Sequence, residues 1–231
     1  MTTALRPAVF LDKDGTLVHD VPYNVDPQQL RFTPHAIEAL RLLQAAGWPL
    51  IVVTNQPGIA LGLFDQTDWQ RLAAGLTERL AEHGVELAGI HACPHAPALD
   101  AAPAGCICRK PAPGLLRQAA REHRIDLAGS WMVGDILNDV EAGRRAGCRT
   151  VLLDVGNETE WVWSPRREPH HRCSDLLQAA QHILAGEMKP PRSHPSLPPE
   201  AALAADQRSR IHATPWPAGT ATTGTARSAM N

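Results

Sequence analysis

Four short apolar runs, each too brief for a helix and each separated from the next by helix-length sequence, set the tightest limit on how this chain can fold. They are Ala8–Leu11, "PLIVVTN" (49–55), Trp131–Val133 and "RTVLLD" (149–154). A run without polar alternation reads as a strand covered on both faces. Strands alternating with helix-length segments call for a parallel sheet with helices on both sides. The helices carry their own signals. Pro34 follows Thr33 at one start, Ile37, Leu40 and Leu43 share a face, and Gly47 marks the stop. A second helix is expected from about Thr67 to His83, closed by Gly84, a third near Leu115–His123, and a fourth over Asn138–Ala146. Ser174 is placed to cap a last one through about Leu184, and a short strand is expected near Gly89–Ala92. The fold class is α/β, a Rossmann-like parallel sheet with helices on both faces.

The chain has 231 residues, enough for one domain of common size plus extra sequence. That domain is assigned to residues 1–186. From 187 to 231 the sequence becomes rich in Pro, Ala, Thr and Ser without sustained periodicity, and reads as a disordered tail with a short helix around Ala201–Arg208 as the exception. A formal net charge of −2 gives no bulk attraction to nucleic acid or to anionic membrane. The start reaches charged residues before any signal-like apolar segment, and no run is long enough to span a bilayer. The expectation is a cytoplasmic monomer acting on a small molecule, with neither nucleic acid nor membrane as partner.

Residues 10–18 read "FLDKDGTLV". An apolar run that ends in Asp12 and Asp14 carries two carboxylates to the edge of a core, where desolvation is costly without compensation. If the backbone stays extended there, Asp12 and Asp14 share a face and Lys13 points away. Two like charges so close need a cation, and a hard, oxygen-preferring ion, Mg²⁺ above all, suits them. A calcium-binding loop of the helix–loop–helix kind is excluded, because its glycine belongs at the sixth position and here it comes fourth, after a strand. A solvated turn is the remaining alternative for "DKDGT" alone. Other strand ends weigh against it. "VVTN" ends in Thr54 and Asn55, whose hydroxyl and amide suit phosphate oxygens. "WMVGDILND" offers Asp135, with Asp139 as another carboxylate for the same metal, and "CRKPAPG" places Arg109 and Lys110 before a turn.

In this order, "DKDGT … VVTN … RKP … GDILND" resembles the haloacid dehalogenase superfamily over residues 8–153, and the second Asp of "DKDGT" resembles its phosphatase branch. The resemblance implies that Asp12 is a nucleophile forming an aspartyl-phosphate, and that Asp14 protonates the leaving oxygen and then activates water. It further implies Mg²⁺ held by Asp12, the Asp14 carbonyl and Asp135, phosphoryl oxygens bound by Thr54 and Asn55, and Lys110 offsetting their charge. The intervals between motifs leave no room for a large cap domain.

"CPHAPALDAAPAGCIC" adds Cys93, His95, Cys106 and Cys108. Three thiols and an imidazole in one loop suit tetrahedral, structural Zn²⁺, in a stretch with no core of its own. Cys148 and Cys173 have no matching partners and read as packing residues. The zinc loop, "TNQPGIALG" and "PYNVDP" (22–27) narrow the resemblance to the zinc-loop subgroup of heptose 1,7-bisphosphate 7-phosphatases and related histidinol-phosphatase domains. That subgroup implies Arg109 as a second cation that reads the substrate, where a guanidinium can bind a phosphate bidentately. Many of its heptose-specific members carry Arg where this chain has Leu61. The Trp-bearing segment 156–171 has no assigned counterpart, and its tryptophans are expected to pack. His19, His35 and His123 receive no special role.

Overall fold

The computed structural model describes residues 4–97 and 106–187. Six strands, β1 (Val9–Leu11), β2 (Leu50–Asn55), β3 (Gly89–Cys93), β4 (Trp131–Gly134), β5 (Arg149–Leu153) and β6 (His171–Cys173), form one sheet in the order β3-β2-β1-β4-β5-β6. Every neighbouring pair is parallel. The helices are α1 (Ala36–Ala45), α2 (Gln66–Glu82), α3 (Gly114–His123), α4 (Leu137–Ala146) and α5 (Leu176–Glu187).

Period-two alternation sends successive strand residues to opposite sides of the sheet. Val9, Leu11, Leu50, Val52, Trp131 and Val133 join residues of α1, α2 and α5 in one core. Phe10, Ile51, Val53 and Met132 join α3 and α4 in the other. Both faces are therefore dry, which is why the strands show apolar runs and not alternation. The chain leaves the edge at β3 and re-enters beside β1 as β4, so the strand order reverses between β1 and β4. In open α/β sheets that switch point, at the carboxyl ends of the strands, is where ligands bind.

Three local expectations are corrected. α1 begins at Ala36, after His35 in a left-handed conformation (φ 61°), and Thr33 stays outside the helix with its hydroxyl donating to the Thr16 carbonyl at 2.7 Å. α5 is capped by Asp175 and not Ser174, since the Gln178 N–H donates to Asp175 Oδ1 at 2.8 Å. β6 was not expected at all. Its three residues contain no apolar run, and only Cys173 is buried; it forms because β5 presents an open edge. The expected tail and its helix at Ala201–Arg208 lie outside the described residues. Among the described residues, no helix is long and apolar enough to cross a membrane.

Candidate active site

β1, β2 and β4 end side by side, and the residues just beyond them line a cleft of about 360 Å³. Asp12 follows β1 directly, and its N–H donates to the Val133 carbonyl at 3.0 Å. The chain then leaves the strand and turns tightly. The Leu17 and Val18 N–H groups both donate to the Lys13 carbonyl, at 2.9 and 3.0 Å. Gly15 makes the turn possible, because its φ of +79° is left-handed and a Cβ there would lie 2.1 Å from Asp135 Oδ2.

Asp12 and Asp14 both face the cleft, as expected, but Lys13 does not point away. The turn replaces the extended backbone on which that expectation rested. Lys13 is buried and its ammonium pairs with the Asp14 carboxylate. On the other side of Asp14, Gln56 Nε2 donates both to Asp14 Oδ2 and to Thr54 Oγ1, each at 3.1 Å. Burial raises the Asp14 carboxyl above its ordinary value; the charge of Lys13 opposes the rise and that of Asp12 adds to it.

Lys110 is a second buried cation of the site. Its ammonium lies 2.6 Å from Asp12 Oδ1, 2.6 Å from Asp139 Oδ1, and donates to the Val53 carbonyl at 3.0 Å. Burial alone would favour loss of its proton, but Asp12 and Asp139 outweigh that and hold the ammonium form above its ordinary range. Asp139 is fully buried, with Oδ2 accepting from the Ile136 N–H at 3.3 Å and Oδ1 meeting Lys110 as an ion pair without an aligned hydrogen bond. Asp139 offers a carboxylate oxygen within 4.8 Å of those of Asp12 and Asp135, close enough for the three to share an ion, while its side chain also meets Lys110 and the start of α4.

Asp135 keeps its place. Its Oδ1 accepts from the Thr16 hydroxyl at 2.9 Å and its Oδ2 from the Asn157 amide at 2.8 Å. Burial and the negative charge of Asp12 nevertheless push its carboxyl up to about 6. Thr54 is buried at the end of β2 and lines the cleft. Asn55 lines it too, but its amide donates to the Lys110 carbonyl (3.1 Å) and accepts from the Lys110 N–H (3.0 Å). These two bonds let Asn55 position Lys110, and they use only one of the amide's two N–H groups. Arg109 also lines the cleft and is tethered on its other side, with Nη1 donating to the His95 carbonyl at 3.2 Å and its N–H to Cys106 Sγ at 3.1 Å.

Sequence reading missed Lys13, Thr16, Gln56 and Asn157. Gln56 and Thr16 adjoin motifs that were recognised. Asn157 stands far along the chain in the segment without a counterpart, and only the pairing of β4 with β5 brings it to Asp135. The same segment holds Trp161 and Trp163, which do not pack as expected. They are exposed, stacked on each other at 5.4 Å, with the Arg172 guanidinium over both. Leu61 is exposed and is not among the residues lining the cleft.

The donor set fits Mg²⁺. Asp12, Asp14, Asp135 and Asp139 outnumber Lys13 and Lys110, and burial with the charge of Asp12 raises the Asp135 carboxyl, a cost that a cation beside it would relieve. Oxygen-only ligands in such a cluster suit a hard dication. The second cluster fits Zn²⁺. Cys93, Cys106 and Cys108 sulfurs stand 3.0 to 3.5 Å apart, and His95 Nδ1 is 3.5 Å from Cys93 and 3.3 Å from Cys108. The cysteines are free, and no disulfide could form among all three; converging thiols of this kind surround a tetrahedral centre. Burial opposes ionisation of Cys106, but bonds from the Cys108 thiol and the Arg109 N–H bring it down to about 7. Cys148 and Cys173 are buried in the core with thiols raised by that burial.

A doubly wound parallel sheet that delivers paired aspartates, a buried lysine and a hydroxyl to its switch point defines a hydrolase built for phosphoryl groups. The comparisons with known proteins agree. The HAD-hydrolase-like family model matches residues 107–179. A heptose-1,7-bisphosphate 7-phosphatase of Pseudomonas aeruginosa is 37% identical over 186 residues, 78% of this chain and 98% of its own length. The corresponding enzyme of Photorhabdus laumondii is 43% identical over 151 residues, 64% of this chain and 79% of its own. Among solved structures, D,D-heptose 1,7-bisphosphate phosphatase from B. bronchiseptica, complexed with magnesium and phosphate, superposes with a TM-score of 0.64 at 33% identity, covering 78% of this chain and 99% of that one. The chain belongs to the haloacid dehalogenase-like hydrolases and, within them, to the phosphatases.

Proposed function

We propose that this chain hydrolyses the 7-phosphate of D-glycero-β-D-manno-heptose 1,7-bisphosphate, with Asp12 as nucleophile, Mg²⁺ in the cleft and structural Zn²⁺ at Cys93, His95, Cys106 and Cys108. The observation that carries the chemistry is Asp12, 2.6 Å from the Lys110 ammonium at the mouth of β1. The substrate follows from the relatives at 37 to 43% identity, which are enzymes of that name.

Asp12 attacks phosphorus, and the bond to the sugar oxygen breaks as the new acyl-phosphate bond forms, which splits one hard displacement into two easier ones. Asp14, whose burial favours its protonated form, gives the leaving oxygen its proton. It then takes a proton from the water that attacks the aspartyl-phosphate. Lys110 holds the Asp12 carboxylate in place and balances charge on the transferring group, while Asp139, Asn55 and the Val53 carbonyl hold Lys110. Thr54 offers its hydroxyl to a phosphoryl oxygen. Asp12, the Asp14 carbonyl and Asp135 would hold Mg²⁺, which would supply charge neutralisation at the phosphoryl oxygens. Arg109 sits at the rim, where a second phosphate on the same sugar would find a bidentate partner.

The test is phosphate release with Mg²⁺ from heptose 1,7-bisphosphate, histidinol phosphate and fructose 1,6-bisphosphate. A strong preference for the heptose is expected. The Asp12→Asn protein should release no phosphate from any of them while keeping its zinc. Wild-type turnover by that variant would remove Asp12 as nucleophile, and preference for histidinol phosphate would move the substrate while leaving the chemistry.

A further inference from the structure

On the side of the sheet that carries α3, the edge strand and the end of that helix bring three more ligand-bearing side chains together. His91, in β3, is only 8% exposed. Its Nε2 lies 3.2 Å from Nε2 of His123, the last residue of α3, with the two rings nearly perpendicular at 84°. Its other nitrogen, Nδ1, stands 3.8 Å from Glu122 Oε2. The ligand atoms of all three lie within 4.8 Å of one another.

Two features mark this as more than a histidine pair in contact. The first is the space the nitrogens enclose. A Cβ on Gly89 would come 2.6 Å from His123 Nε2 and 3.2 Å from His91 Nε2, so the hollow left by the missing side chain is bounded by both ring nitrogens. Two nitrogens bound at 2.0–2.1 Å around one tetrahedral ion stand about 3.3 Å apart, close to the separation found here. The second is electrostatic. His123 ends α3, and the carboxyl end of a helix, with its unsatisfied carbonyls, favours positive charge. Glu122 faces the far nitrogen of His91 at 3.8 Å, beyond a direct hydrogen bond, where its negative charge favours a proton on Nδ1 and so leaves Nε2 free to ligate.

We infer that His91 and His123, with Glu122 behind His91, form a second transition-metal site, separate from the cysteine cluster, that takes Zn²⁺ and staples β3 to α3. Two imidazoles are suited to zinc and its neighbours in the first row and not to Mg²⁺. Water completes the coordination through the side on which Glu122 and His123 reach solvent. With only two protein ligands, the ion exchanges readily, whereas four ligands close the cysteine site. The site lies outside the phosphate cleft, so it is independent of the substrate reading.

The test uses full-length protein carrying one zinc per chain in its cysteine cluster, with excess Mg²⁺ present to occupy the cleft, titrated calorimetrically with ZnCl₂. Wild type should take up one further equivalent and melt at a higher temperature when it does. His123→Ala should lose that uptake while keeping its first zinc and its phosphatase rate. Glu122→Gln should bind about tenfold more weakly, since supporting carboxylates of this kind contribute about 10- to 100-fold in affinity. Absence of a second equivalent in wild type overturns the inference, as does uptake by His123→Ala equal to that of wild type. Should His123→Ala not fold, Glu122→Gln decides: wild-type affinity there overturns it.

Discussion

Replacing Asp135 by Asn should make the metal-free protein more stable and abolish its activity. Asp135 is 4% exposed, and burial together with the charge of Asp12 raises its carboxyl from an ordinary 3.8 to about 6. Each tenfold change in proton affinity corresponds to about 1.4 kcal/mol, so above pH 6 the ionised side chain costs the metal-free fold about 3 kcal/mol. Asn removes that charge. It also weakens two hydrogen bonds, from the Thr16 hydroxyl and the Asn157 amide, of which the second must turn over to present its oxygen. Setting about 1 kcal/mol against this leaves a net gain of about 2 kcal/mol. For a folded domain of this size that is a rise in Tm of roughly 4 to 8 °C.

The sign of the pH dependence follows from the raised value. Between about 6 and 3.8 the folded protein binds the proton that the unfolded chain has not yet taken up. This group's contribution therefore makes the fold more stable as pH falls through that window, and the advantage of Asp135→Asn shrinks with it. The assay is thermal and urea unfolding of both proteins at pH 7.5 and pH 4.5, after dialysis and again with added Mg²⁺. Mg²⁺ should stabilise wild type far more than the variant and reverse their order. An Asp135→Asn protein less stable than wild type without Mg²⁺, or equal stabilisation of the two by Mg²⁺, would refute the argument.

Cys106→Ser should lose its zinc and several kcal/mol of stability, because binding at such a site is folding free energy; unchanged metal content and Tm would show that the cluster is not a zinc site. Gly15→Ala should lower activity at least tenfold, since the new Cβ meets Asp135 Oδ2 and the left-handed φ is strained, and a normal rate would show that the turn can relax. Removal of residues 188–231, beyond α5, should leave turnover and Tm unchanged; an inactive truncation, measured by phosphate release, would give that segment a part in the fold or the site.

Much of the molecule is legible in the order of residues. The apolar runs at Ala8–Leu11, Leu50–Val53, Trp131–Val133 and Thr150–Leu153 could only be strands buried on both faces, and the helix-length intervals between them dictate parallel pairing. Asp12, Thr54, Asp135 and Lys110 were visible because each follows directly on a strand or precedes a turn, where a polar group at the edge of a core requires a purpose. Cys93, His95, Cys106 and Cys108 were visible because three thiols and an imidazole so close in sequence leave a spacing of the kind that metal ligands have. Local signals of this kind reside in a few neighbouring residues, so the sequence alone determines them. The tertiary structure decided what depends on approach from elsewhere. The turn at Gly15 brought Lys13 onto Asp14, the contact of Asn55 with the Lys110 main chain made the amide a support for that lysine, and burial paired Asp139 with Lys110. Asn157 reaches Asp135, and His123 reaches His91, only because strand pairing and helix packing close gaps of many residues. Such contacts leave no pattern along the chain, because the charge, desolvation and distance that define them exist only once both partners are buried together.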